Sequence, residues 1–130
     1  MKFEHFAVNV GKPQAMSGWY EKNLGLKVVR KMDKPPYMTF LADDSGTIML
    51  EIYNNPAAPV LDFKKLHPLM VHLAFVSEYP KADKERLLQA GAEEISDEIL
   101  DDGSHLVMLR DPWGLSLQLC KRAVPMLRNR

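Results

Sequence analysis

Residues 3–10 form a mainly apolar, β-compatible run, which Gly11 and Pro13 break before a helical segment that continues to about Leu24. Within that segment Ala15, Trp19, Tyr20, Asn23 and Leu24 recur at the spacing of one helix face, and Gly25 follows where a left-handed cap costs little. Three strand-like runs come next, at residues 26–30, 37–42 and 47–53, and Asp43, Asp44, Ser45 and Gly46 punctuate the last two as a hairpin turn. Residues 54–67, with Pro56 and Pro59, have no clean period and read as a long connector with a helical turn around residues 61–66. The same order then returns. A strand is expected over residues 69–77, a helix over 80–90 ended by Gly91, and strands over 95–100, 106–109 and 115–120.

Two runs of strand, helix and three strands predict an α+β fold of two tandem βαβββ modules, each a curved mixed sheet with a helix on its apolar face. The boundaries fall at 1–53 for the first module, 54–67 for the connector, 68–122 for the second module and 123–130 for a C-terminal tail. His72 follows His5 by 67 positions (72 − 5), and Gln118 follows Glu51 by the same 67 (118 − 51). Beyond these positions the repeat rests on the order of elements more than on side-chain identity.

Strand parity separates core from candidate chemistry, since alternate residues face opposite sides. Ile48, Leu50 and Ile52 oppose Met49, Glu51 and Tyr53, and Leu115, Leu117 and Leu119 oppose Ser116, Gln118 and Cys120. In the opening strands Phe6, Val8 and Val10 oppose His5, Ala7 and Asn9, as Val71, Leu73 and Phe75 oppose His72, Ala74 and Val76. The all-apolar faces are the expected seats of the two helices. Each remaining face carries one His and one acid or amide. With the first and last strands of each module adjacent, His5 would lie near Glu51 and His72 near Gln118.

Composition narrows the partners. The 17 Lys and Arg balance 17 Asp and Glu, so overall charge implies neither nucleic acid nor an anionic membrane as a partner, and Arg128 and Arg130 read as a solvated basic tail. Cys120 is the only cysteine, which excludes an internal disulfide. No basic segment leads into an apolar stretch of signal length and no run is long enough to cross a bilayer, so the expected compartment is the cytoplasm.

Two imidazoles, a carboxylate and an amide oxygen at His5, His72, Glu51 and Gln118 form an N2O2 set suited to Zn²⁺, Ni²⁺, Mn²⁺, Fe²⁺ or Co²⁺. Glu51 is the strongest single clue, because a carboxylate in an otherwise apolar strand is costly to bury without a partner. It is also the candidate catalytic base, since the neutral Gln118 amide cannot accept a proton at ordinary pH. Asn9, Ser116 and Cys120 share these faces by parity, with ordinary packing as the simpler role. His67 is assigned to the connector and His105 to a middle strand, neither as a ligand; Trp19, Trp113, Asp111 and Pro112 are assigned to packing and turns.

The segments FEHFAVNV, WYEKNLGL, MLEIY, MVHLAF and RDPWGLSLQL together resemble the vicinal oxygen chelate superfamily, which includes glyoxalases, bleomycin-resistance proteins and extradiol dioxygenases. The resemblance implies paired βαβββ modules in which the first and last strand of each module supply a metal ligand. Those positions here are His5, Glu51, His72 and Gln118. Gln118 departs from the glutamate that serves as base in many glyoxalase I enzymes. The resemblance implies a metal-dependent lyase or isomerase acting on a small molecule with vicinal oxygens, through proton abstraction and a metal-stabilised enediolate. An acyl-substrate epimerase, a metal-independent sequestering protein of the bleomycin-resistance type and an Fe(II) dioxygenase are the alternatives. It also implies a homodimer with two equivalent sites; the paired modules lie together in one chain or pair across the dimer, where a site would draw His5 and Glu51 from one chain and His72 and Gln118 from the other.

Overall fold

The computed structural model describes residues 1–127, so the basic tail positions Arg128 and Arg130 lie outside the described residues. The chain divides into two compact units, Met1–Leu61 and a second that starts at Asp62. The first unit contains β1 (His5–Asn9), α1 (Pro13–Leu24), β2 (Lys27–Lys31), β3 (Thr39–Ala42) and β4 (Met49–Tyr53). The second opens with a 3₁₀ turn, Phe63–Lys65, and continues through β5 (Leu73–Val76), α2 (Pro80–Gln89), β6 (Glu93–Ile99), β7 (His105–Arg110) and β8 (Ser116–Lys121). Each unit is a βαβββ module, and its sheet is mixed.

In the first unit the strand order is β1-β4-β3-β2, and in the second it is β5-β8-β7-β6. The first and last strands of each module are therefore neighbours, and they run parallel: the helix carries the chain across to the far edge, and the antiparallel meander brings the last strand back beside the first. The registers repeat as well as the order. Ala7, Glu51, Phe40 and Arg30 form a row across the first sheet. Ala74, Gln118, Met108 and Ser96 form the matching row across the second. Both outermost meander strands carry a bulge at the same place, between Val28 and Arg30 in β2 and between Glu94 and Ser96 in β6.

Proline at the first helical position opens both helices, where a missing N–H costs nothing, and Gly25 closes α1 with φ 69°. The helices lie over the middle of their sheets: α1 contacts β3 and β4, and α2 contacts β7 and β8 with a lesser contact to β6. Leu41 and Ile52 under α1, and Val107, Leu109 and Leu117 in the second unit, are completely buried. Each such side chain contributes about 1.5–3 kcal/mol of hydrophobic stabilisation.

Two sequence expectations shift here. The buried stripe of α1 is Pro13, Met16, Ser17 and Tyr20, while Ala15 is exposed and Trp19 and Leu24 are only half-buried. Phe6 was expected beneath the helix but is 45% exposed. β1 is a sheet edge, and the centre of α1 packing lies over β3 and β4, which leaves the outer end of that apolar face uncovered.

Among the described residues no helix is long and apolar enough to cross a membrane.

Candidate functional site

The face of each sheet opposite its helix carries the polar pair read from parity. In the first unit the parallel register sets Ala7 against Glu51 and His5 against Met49, so His5 and Glu51 stand diagonally across two neighbouring strands. Their side chains meet, with His5 Nε2 3.2 Å from Glu51 Oε2. His5 Nδ1 is bonded to the Glu4 carboxylate. The imidazole also meets the Phe40 ring edge-on, with centroids 5.5 Å apart. Phe40 is there because the β3–β4 register places it directly beside Glu51.

Carboxylates at both ring nitrogens favour the imidazolium, which donates from both. The hydrogen bond with Glu4 is the largest influence and holds the His5 pKa above its ordinary 6.5; partial desolvation opposes it, and the Glu4 and Glu51 charges add to the upward shift. Glu51 is the more sheltered partner, with its side chain 18% exposed against 37% for His5.

In the second unit the strand begins later than the sequence suggests. Met70 N–H donates to His67 O at 2.9 Å in a turn, and β5 starts at Leu73, so His72 sits just ahead of the strand. His72 Nδ1 donates to the Pro68 carbonyl at 2.9 Å, which anchors the ring with Nε2 on its opposite side. Gln118 stands beside Ala74 in the parallel ladder, and its Oε1 accepts from Cys120 Sγ at 3.2 Å. The second unit thus has the same polar positions with no carboxylate among them.

The other residues on these faces have structural work. Asn9 organises the segment after β4: its amide donates to the carbonyls of Asn55, Ala58 and Pro59 at 3.0–3.3 Å, and its Oδ1 accepts from Asn55 N–H at 2.7 Å. Asp111 is 2% exposed and its Oδ1 accepts from the N–H groups of Trp113 and Leu115, which makes it the turn residue expected. His67 Nδ1 accepts from Leu69 N–H at 3.1 Å within its own turn. Ser116 is buried in β8.

Three partners escaped the sequence reading. Glu4 precedes the strand and carries no periodic signal. Pro68 acts through its carbonyl, which no sequence pattern marks. Phe40 was within reach, because extending the hairpin from its turn at residues 43–46 brings it level with Glu51.

His105 is engaged away from the pair. Its Nε2 meets Asp97 Oδ1 at 2.6 Å, and Lys84 from α2 bonds Asp97 Oδ2 at 2.7 Å and Glu94 at 2.5 Å. Lys84, then His105, pull the Asp97 pKa below its usual 3.8. Two surface grooves lie at the starts of the helices, one of about 620 Å³ including Lys12, Tyr37 and Asn54, the other of about 370 Å³ including Tyr79, His105 and Lys121. Neither is lined by His5, Glu51, His72 or Gln118.

One pair of the donor set is spaced as two ligands of a divalent ion would be. Two ligands held about 2.1 Å from one ion at ordinary coordination angles are roughly 3.0–3.4 Å apart, and the His5 to Glu51 separation of 3.2 Å falls in that span. An Nδ1–H anchored on a carbonyl, as in His72, is also how ligating imidazoles are commonly oriented. Among the described residues, however, no group of three or more His, Cys, Asp or Glu stands close enough to hold an ion.

Comparison with known proteins agrees with the architecture. No curated protein matches the chain. Among solved structures, the chain is similar to lactoylglutathione lyase from Agrobacterium tumefaciens (19% identity, TM-score 0.71, covering 96% of each chain). It is similar to TnmS3, an antibiotic binding protein from a Streptomyces species (17% identity, TM-score 0.70, covering 92% of this chain and 94% of that one). A glyoxalase family protein from Enterococcus faecalis is 27% identical, with TM-score 0.70 over 92% of this chain and 97% of that one. The model of the Glyoxalase/Bleomycin resistance protein/Dioxygenase superfamily matches residues 2–119, nearly the whole chain, and the protein belongs to that superfamily.

Proposed function

We propose that the protein binds and sequesters a small molecule on the helix-free faces of its sheets, in the manner of a bleomycin-resistance protein, with no metal required. The observation that carries this reading is the double carboxylate contact of His5, at Glu4 and Glu51, which favours an imidazolium. A protonated imidazole has no lone pair for an ion, so a metal at Nε2 must displace the proton that this nitrogen shares with Glu51. Gln118 accepting from Cys120 is in keeping with the same reading, because that bond occupies one of the two lone pairs of Oε1. The surroundings suit a flat, partly aromatic ligand: Phe40, Met49 and Tyr53 share the face with the His5–Glu51 pair, which would fix a polar group of the ligand. The fold shared with an antibiotic binding protein is in keeping with this role.

Calorimetry on chelator-treated protein tests the reading, using a panel of bleomycin, planar aromatic antibiotics and lactoylglutathione. Stoichiometric binding of one of them without metal, and without its conversion, is the expected result. Binding or turnover that appears only after a divalent ion is restored would overturn it.

The second reading is a metal-dependent lyase or isomerase of the glyoxalase type, favoured by the His5 to Glu51 separation and the anchored ring of His72. His5, Glu51, His72 and Gln118 would hold the ion, which would stabilise negative charge on two adjacent substrate oxygens. Glu51 would take the substrate proton, being the carboxylate of the set. In this reading the protein is a homodimer whose sites draw one polar pair from each chain, and the gently purified protein retains a divalent ion that is lost on His72→Ala.

A further inference from the structure

The helix-free face of the first sheet is polarised. On the β1 and β4 side Glu4 and Glu51 flank a single cation, His5, so that end carries an excess of negative charge. On the far side, in β2, the ladder sets Arg30 beside Phe40 and Lys27 beside Ala42, and so on the face that Glu51 occupies. Neighbouring strands lie about 4.8 Å apart, so the backbones of Glu51 and Arg30, two strands from each other, are separated by about 10 Å. The half-buried Phe40 stands between them.

Neither end is closed by its own sheet. The exposed Arg30 guanidinium has no ion-pair or hydrogen-bond partner among the described residues. Lys27 reaches Asp44 only at 3.9 Å, and Glu51 meets His5 through Oε2 while its Oε1 has no partner among the described residues. The second sheet shows what the fold itself requires. With the same strand order and the same bulge, its matching row is Ala74, Gln118, Met108 and Ser96, all uncharged. The charges of the first row are therefore not needed to build the sheet, and they stand where a ligand can use them. We propose that this face binds a small aromatic zwitterion, with its ring on Phe40, its ammonium group at Glu51 and its carboxylate at Arg30. An ammonium donates to the Glu51 carboxylate, and a guanidinium holds a planar carboxylate through two parallel hydrogen bonds. The reversed ligand would set like charge against like at both ends. This ligand class rests on the sequestering reading of the same face.

The test uses the full-length, chelator-treated chain with para-aminomethylbenzoate, benzylamine and para-xylylenediamine, which share a ring and an amine and differ at the other end. Titrations followed by backbone amide NMR should show wild type binding para-aminomethylbenzoate about tenfold more tightly than benzylamine, and the diamine most weakly. R30Q should bring the affinity for para-aminomethylbenzoate down to that of benzylamine, and R30E should invert the order in favour of the diamine. The dispersion of the same amide spectra confirms that both variants are folded. Equal affinity of wild type for para-aminomethylbenzoate and benzylamine would overturn the proposal, as would a preference that R30Q and R30E leave unchanged. Repeating the titrations with Zn²⁺ restored separates this result from the wider reading. Binding that appears only with the ion overturns metal-free sequestration, whereas the order of the probes still decides the part of Arg30.

Discussion

His5 and Glu51 meet through their side chains at 3.2 Å although their backbones are offset by two residues along the parallel β1–β4 ladder. The ring is also bonded at its other nitrogen to Glu4, and that second contact is the larger cause of the raised His5 pKa. Glu4→Gln should therefore lower the His5 pKa more than Glu51→Gln does. Titration of the ring carbon and nitrogen resonances by NMR measures both. A larger drop in Glu51→Gln would show that the across-strand contact dominates.

The second unit has an amide where the first has a carboxylate. Gln118→Glu would add a negative donor to the helix-free face of the second sheet and should make it a stronger cation site than in wild type. We expect retention of Zn²⁺ or Ni²⁺ after gel filtration to rise at least about tenfold. Equal metal content in the two proteins would show that residue 118 takes no part in holding an ion.

The cluster of Lys84, Asp97 and His105 gives stability a dependence on acid. Because the folded-state pKa of Asp97 is depressed below 3.8, its contribution is complete above that value and is lost as pH falls through the lower folded value. Asp97→Asn should thus lower the urea midpoint at pH 7 while leaving the midpoint near wild type at about pH 2. A deficit of equal size at both pH values would mean that the side chain matters through packing and not through charge.

Two glycines separate backbone strain from collision. Gly25 has φ 69° and open space around a notional Cβ, so Gly25→Ala should cost about 1 kcal/mol. Gly114 has φ 95°, and a Cβ there would come 2.8 Å from Lys64 N and 3.0 Å from Lys64 Cα in the 3₁₀ turn. Backbone cannot yield as a flexible side chain can, so Gly114→Ala should cost several times more, about 3 kcal/mol or above. Equal melting temperatures for the two variants would contradict the close approach.

Arg110 holds the same turn from another side. Its guanidinium donates to the carbonyls of Phe63 and Gly114 at 2.9 Å and of Leu66 at 2.8 Å. Arg110→Met keeps the stem but strands three acceptors, and a loss of about 2–3 kcal/mol is expected. Chemical denaturation measures it, and a loss below about 0.5 kcal/mol would mean that water replaces the clamp.

The order of elements was legible because proline, glycine and turn residues punctuate the chain where elements change. Pro13 and Pro80 do open the helices, and Gly25 does close α1. The facing of α1 was not legible, because apolar residues occur around most of the helix, and Met16 and Tyr20 won burial over Trp19 through the sheet beneath them. Parity correctly put Leu50, Ile52, Leu117 and Leu119 in the core, although Ser116 and Cys120 on the other face of β8 are buried as well. The His5–Glu51 meeting followed once β1 and β4 were taken as neighbours. What stayed hidden were contacts made through the backbone or from outside a strand: the Pro68 carbonyl, the Glu4 carboxylate and the approach of Lys64 to Gly114.

The parallel pairing of β1 with β4 also governs when the polar pair can exist. The two strands lie at opposite ends of their module in sequence and adjoin in space, so His5 and Glu51 meet only once the chain between them has closed into a loop. A contact of such long range forms late, after the loop entropy of the whole module has been lost. Only the Glu51 share of the His5 ionisation therefore reports that β1 and β4 have met, and in a Glu4→Gln background its recovery during refolding would time that pairing.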